Sequence, residues 1–344
     1  MNNTVDDTAT NLETGNMACQ CFLIGAGYVA LAAVAYRILT IFSNILGPYV
    51  LLSPIDLKKR AGASWAVVTG ATDGIGKAYA FELARRGFNV FIVSRTQSKL
   101  DETKKEILEK YSNIEVRTAA YDFTNAAPSG YKDLLATLNQ VEIGVLVNNV
   151  GLSYEYPDVL HKVDGGIERL ANITTINTLP PTLSSMILPN KFFTQLSAGI
   201  LPQMVARKAG VIINVGSSAS ANQMALWAVY SATKKYVSWL TAILRKEYEH
   251  QGITIQTIAP MMVATKMSKV KRTSFFTPDG AKFAKSALNT VGNASDTTGY
   301  ISHQLQLELM DLIPTFIRDK ILTNMSVGTR AAALRKKERE AKSQ

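Results

Sequence analysis

The pattern of apolar and polar positions changes character twice along the chain. Residues 1 to 16 are polar and acidic, with Asp6, Asp7 and Glu13. A Gly/Ala-rich apolar run follows from Met17 to Tyr36. Arg37 interrupts it, and a second run from Ile38 to Leu52 contains the breaker pair Gly47 and Pro48. A bilayer-crossing helix needs about 20 apolar residues. Cys21 to Tyr36 carries no charge that could form the polar face of an amphipathic core helix. The reading is a membrane-anchoring segment over 17–52. A signal peptide would open on a basic stretch, and this start is acidic. Lys58, Lys59 and Arg60 follow the run, so the positive-inside rule puts the rest of the chain in the cytosol.

From Ala63 short apolar strands alternate with helices. Strands are predicted at 65–69, 89–94, 114–121, 143–147, 211–215 and 253–258, with helices at 75–87, at about 98–111 and between the later strands. Strands that are apolar throughout are buried on both faces, which is the mark of a parallel sheet. The expected fold class is α/β, a Rossmann-like doubly wound parallel sheet. A single catalytic domain over 63–328 follows the membrane segment, with a polar extension at 1–16 and a basic tail at 329–344.

Composition narrows the function. Of 344 residues 47% are hydrophobic, too many for a disordered chain. The net charge of +10 is concentrated at 58–60, at Lys266, Lys269, Lys271 and Arg272, and in the tail from Arg330. Aromatic residues do not interleave with it, so it reads as a solvated or anionic-membrane-facing surface and not as a nucleic-acid site. The two cysteines, Cys19 and Cys21, and three histidines supply no disulfide framework, zinc ribbon or His-rich metal site.

The first predicted strand runs into Thr69, then Gly70, Thr72, Asp73, Gly74, Ile75 and Gly76. Glycines at this spacing allow a tight turn and close approach to a phosphate, and the following helix offers its amino-terminal amides to the anion. At the end of the second strand, where a ribose-binding acid would stand for NAD, the chain has Arg95. An arginine there suits a 2′-phosphate, so the cofactor reading is NADP(H); a solvated loop arginine is the alternative.

In order along 64–272, the motifs resemble those of the short-chain dehydrogenase/reductase family. Residues 69–76 match its cofactor loop, Asp122 its adenine-side acid, and Asn148, Asn149, Val150 and Gly151 its N-N-A-G motif with Val for Ala. Tyr230 and Lys234 form its Y-x-x-x-K, with Ser217 thirteen residues before Tyr230. The resemblance implies that Ser217 holds a substrate carbonyl, Tyr230 protonates it, Lys234 binds the nicotinamide ribose, and Asn177 organises a helix and a relay water. It also implies that Asn148 and Thr265 touch the cofactor. On residue types alone, Tyr230 and Lys234 at i and i+4 share a helix face, and an ammonium beside a phenol is expected to lower its pKa.

Ser153 to Pro157, Val263 to Met267 and Phe283 to Gly292, taken with the apolar start and basic tail, resemble the family's microsomal very-long-chain 3-oxoacyl-CoA reductase / 17β-hydroxysteroid dehydrogenase branch. That branch implies NADPH-dependent reduction of 3-oxoacyl-CoA during fatty-acid elongation in the endoplasmic reticulum membrane, beside other elongation enzymes and as a homodimer. A 17β-hydroxysteroid or retinoid dehydrogenase is the second enzyme reading. A non-catalytic NADP-binding partner of a membrane complex is the reading from another class. The basic run 266–272 is either a solvated loop or a holder of the phosphates of a CoA thioester.

One departure stands out. Asn177 and the Leu201 to Met204 stretch are twenty-four residues apart, about twice the family interval. The excess, Ser184 to Gln195, contains Pro189. A continuous helix through it would turn Leu201 off the core, so a looped-out insertion is expected.

Overall fold

The computed structural model describes residues 4–181, 196–270 and 272–343, with side chains from Cys21 onward and, after the gap, from Gly199. The insertion read at 184–195 lies outside the described residues. The chain divides into two compact units, Met1–Leu51 and Leu52–Gln344.

In the first unit a single helix, α1, spans Thr4–Leu46. It starts well before the apolar run and passes through Arg37 without a break, because one long side chain does not interrupt a backbone ladder. A π-helical turn follows at Gly47–Leu51. Pro48 has no N–H to give, so the regular i to i−4 ladder stops there. Cys21–Leu51 has a mean hydropathy of 1.8 and is long and apolar enough to cross a membrane.

The second unit runs α2 (Leu57–Ala61), β1 (Trp65–Thr69), α3 (Gly74–Arg85), β2 (Asn89–Ser94), α4 (Gln97–Lys110), β3 (Val116–Ala120), α5 (Pro128–Leu138) and β4 (Ile143–Asn148). It continues through α6 (Gly166–Thr178), α7 (Leu196–Arg207), β5 (Gly210–Val215), α8 (Ala228–Tyr248), β6 (Ile253–Ile258), α9 (Gly280–Asn289), β7 (Asp296–Thr297), α10 (Ile301–Asp311) and α11 (Thr315–Lys342). The boundary read at 328/329 thus falls inside one helix. Among the described residues seven parallel strands lie in the order β3-β2-β1-β4-β5-β6-β7.

The sheet divides the core by the period-2 rule. Ala66, Val68, Val90 and Ile92 face Tyr79, Leu83 and Phe283 on one side. Val67, Phe91, Leu146 and Ile212 face Tyr131, Leu135, Ile200 and Met204 on the other. Ile200, Leu201 and Met204 of α7 are buried, and Asn177 of α6 is buried as well. The described helices before and after residues 182–195 thus both pack on the core.

Candidate active site

Each strand from β1 to β6 delivers a candidate residue at its carboxyl end, where an open parallel sheet places its ligands. The order of the strands reverses between β1 and β4, and the site forms at that crevice. β1 ends at Thr69, and the turn that follows bends at Gly70 (φ +65°) and Gly74 (φ +54°). A Cβ on Gly76 would sit 2.3 Å from both the Asn149 Nδ2 and the Gly70 carbonyl oxygen. Only glycine lets α3 come this close. Asn149 Nδ2 donates to the Thr69 carbonyl at 2.9 Å, and the Thr69 hydroxyl accepts from the N–H groups of Asn149 and Val150, both at 3.0 Å. The turn is thereby stitched to the segment after β4.

Thr72 Oγ1 and Ser94 Oγ lie 3.0 Å apart, tying the turn to the end of β2. Arg95 follows at once, exposed and without a hydrogen bond or ion pair among the described residues. Asp73 accepts from the Gly74 N–H at 2.7 Å and pairs with Lys266 at 3.4 Å. Asp122 is exposed after β3, where it accepts from the Thr124 N–H and hydroxyl. Thr265, after β6, reaches the same turn: a Cβ on Gly74 would meet its methyl at 3.3 Å. Ile75 packs on the apolar cluster below. Small residues, free amides at a helix start and an unpartnered arginine fit a dinucleotide carrying a 2′-phosphate.

The reacting side is built from α8. Lys234 is 5% exposed, and its Nζ donates to the Val215 carbonyl at 3.1 Å and stands 5.9 Å from the centre of the Tyr230 ring. A Cβ on Gly151 would lie 3.3 Å from that Nζ and 3.2 Å from Asn177 Oδ1, so Lys234 and Asn177 converge on the strip after β4. Ser217 follows β5, its Oγ accepts from the Ala219 N–H at 3.2 Å, and its hydroxyl acts on the Tyr230 phenol to lower its pKa. Asn148 Nδ2 donates to Asn214 Oδ1 at 2.8 Å, which fixes the ends of β4 and β5 relative to each other. Asn214 and Tyr154 belong to the site without a motif that marks them in the sequence. Tyr154 accepts from the Val229 N–H at 3.1 Å and stacks on Trp227, which packs beside Tyr230. The unusual Ser153 to Pro157 stretch was the signal available for it.

Residues 64–274 match the family model for the short chain dehydrogenase. The chain belongs to the short-chain dehydrogenase family. It is 93% identical over 328 residues to the very-long-chain 3-oxoacyl-CoA reductase of Caenorhabditis briggsae, covering 95% of this chain and 100% of that one. It is 59% identical over 322 residues to the Caenorhabditis elegans protein named "Putative steroid dehydrogenase 3", covering 94% and 98%. A metagenomic short-chain oxidoreductase solved in complex with NADP matches with 26% identity and a TM-score of 0.52, covering 69% and 96%.

The electrostatics of this short-chain dehydrogenase differ from the sequence expectation at one point. Burial pushes the Tyr230 phenol up, and the Ser217 hydroxyl offsets this only in part. The neighbouring lysine does not reverse the shift, since its ammonium bonds the Val215 carbonyl and not the phenol. Burial also lowers Lys234 itself to about 8. At neutral pH the pair is thus a neutral phenol beside an ammonium, the state needed to give a proton.

Proposed function

We propose that this chain is a membrane-anchored, NADPH-dependent reductase of 3-oxoacyl-CoA thioesters, forming the 3-hydroxyacyl-CoA of very-long-chain fatty-acid elongation. The observation that carries it is the pairing of an assembled Ser217–Tyr230–Lys234 centre with 93% identity to a protein of that name. Gly70, Thr72, Asp73, Gly74, Ile75 and Gly76 would hold the cofactor's phosphates, Arg95 its 2′-phosphate, Asp122 its adenine side, and Asn148, Thr265, Tyr230 and Lys234 its nicotinamide half. NADPH supplies the hydride when bound. Ser217 orients the substrate carbonyl, Tyr230 gives a proton to its oxygen, and Lys234 keeps a positive charge beside the oxyanion as it forms. Asn177 holds the strip on which this geometry depends.

The apolar Cys21–Leu51 segment supports a membrane anchor, and the basic Lys58 to Arg60 run after it supports a cytosolic catalytic unit. Placement in the endoplasmic reticulum, beside other elongation enzymes, belongs to the same reading, as does a homodimer. The 59% identity to a protein named for steroid dehydrogenation favours a second reading, oxidation or reduction of a steroid. NADPH consumption by purified protein against a chain-length series of 3-oxoacyl-CoA and a panel of steroid ketones tests both. Turnover of steroids alone overturns the first.

A further inference from the structure

Two loops leave the sheet after β4 and β6, the strands that flank β5 and its Ser217. The strip 151–157 follows β4, and its Gly151 lies against Lys234 and Asn177. The loop after β6 carries Thr265 against Gly74 of the cofactor turn. A side-chain contact joins them: Lys269 Nζ donates to the Glu155 carboxylate and, at 3.1 Å, to the Glu155 carbonyl. The pair is exposed, with Lys269 at 59% and Glu155 at 45%, so it is weakly held.

Lys269 has φ +58°. Asn or Gly adopts this left-handed conformation more readily than a long side chain. The backbone there does not favour lysine, so the ammonium is what the position supplies. Glu155 is shared, because Arg169 Nη2 lies 3.6 Å from its other carboxylate oxygen. Loss of Lys269 therefore does not strand the carboxylate. Arg272, three residues on, is exposed and has no hydrogen bond or ion pair among the described residues.

We propose that Glu155 and Lys269 form a clasp across the cleft that a polyanionic substrate handle displaces, and that Lys269 is the specificity residue that takes a phosphate of the CoA moiety in exchange for Glu155. The proposal rests on the acyl-CoA reading above. The terminal monoester phosphate of CoA brings more charge and more acceptor oxygens than a carboxylate, so it wins Lys269 when it arrives, with Arg272 as the second cation. A neutral ketone brings nothing to exchange. The clasp thus distinguishes a CoA thioester from a ketone of equal bulk.

The test compares one 3-oxoacyl chain carried on CoA and on pantetheine, which lacks the nucleotide phosphates. Lys269→Asn keeps the left-handed backbone and removes the charge. We expect its KM for the CoA thioester to rise about five- to tenfold with kcat little changed, while KM for the pantetheine thioester stays within about twofold. Lys269→Arg restores the CoA value, and Glu155→Gln lowers it. An equal rise for both thioesters, or for neither, overturns the clasp. Titration of the NADP⁺-loaded protein with free CoA separates the two levels. Wild type that binds free CoA more tightly than Lys269→Asn does, yet reduces neither thioester, removes the proposed function and keeps the clasp. Wild type that reduces both thioesters, with Lys269→Asn indistinguishable from it, removes the clasp and keeps the function.

Discussion

The side-chain amide of Asn177 grips both polar groups of the Leu152 backbone. Its Oδ1 accepts from the Leu152 N–H at 2.8 Å, and its Nδ2 donates to the Leu152 carbonyl at 3.0 Å. The second Nδ2 hydrogen goes to Thr233 Oγ1 at 3.0 Å, beside Lys234. One buried amide therefore registers the strip after β4 against both α6 and α8. Substitution by Asp keeps the size but removes the donors and sets a carboxylate against a carbonyl.

Asn177→Asp is expected to lower stability by about 2 to 3 kcal/mol, the usual cost of stranding buried polar partners. Displacing the strip beside Lys234 should also lower kcat by roughly one to two orders of magnitude. Thermal melts of the NADPH-loaded protein and steady-state rates check the two effects. Wild-type kcat in a folded Asn177→Asp protein would show that the strip's position does not matter for turnover.

Tyr230→Phe keeps the ring that packs beside Trp227 and removes only the proton donor. The fold should be unchanged, and NADPH affinity should fall no more than about tenfold, the loss of one hydroxyl contact to the nicotinamide half. Turnover should fall by about 10² to 10⁴, the usual contribution of a positioned acid–base group. Cofactor fluorescence titration and single-turnover rates measure the pair. Substantial residual kcat would point to another donor.

Arg95→Asp should move cofactor preference from NADPH toward NADH. The arginine has no protein partner to lose among the described residues, so its removal costs the fold little. An aspartate at the end of β2 offers a ribose hydroxyl an acceptor in place of a phosphate donor. Competitive titration of the two cofactors reads the ratio. An unchanged ratio places the 2′-phosphate on another cation, such as Lys99.

Much of this arrangement was legible in the residues. Trp65 to Thr69 and Asn89 to Ser94 match the expected bounds because a strand buried on both faces is written as a nearly continuous apolar run; Ile253 to Ile258 matches because its β-branched residues run between Gly252 and Pro260. β7 escaped because Asp296 and Thr297 pair with β6 through backbone alone and carry no such signature. The family motifs placed Ser217, Tyr230 and Lys234, but spacing along a helix says nothing about burial. The Tyr230 phenol accordingly shifts opposite to the direction a lysine at i+4 alone implies, since desolvation outweighs a lysine whose ammonium is turned to Val215. The Glu155–Lys269 contact was invisible for a different reason: its partners are 114 residues apart, and either one alone reads as a solvated surface charge.

Lys234→Met should separate stability from activity. Burial lowers the folded-state value of Lys234 from 10.5 to about 8. The unfolded chain therefore binds its proton more tightly than the folded chain does. Below pH 8 both states are charged and the full desolvation cost is present; as pH rises from about 8 to 10.5 the folded protein sheds the proton first and stability increases. A shift of that size corresponds to about 3 kcal/mol. Removing the ammonium also removes its hydrogen bond to the Val215 carbonyl, which costs about 1 kcal/mol. The methionine variant should thus be more stable than wild type by roughly 2 kcal/mol at pH 7, with the advantage vanishing toward pH 10.5. It should also be nearly inactive. Wild-type reduction should itself decline above about pH 8, as Lys234 loses the charge that faces the forming oxyanion. Denaturant melts of the cofactor-free protein in one detergent at pH 7 and pH 10, alongside pH–rate profiles, test the set. A methionine variant less stable than wild type at pH 7 would mean that Lys234 is held by the fold at a net gain and is not a strained functional charge.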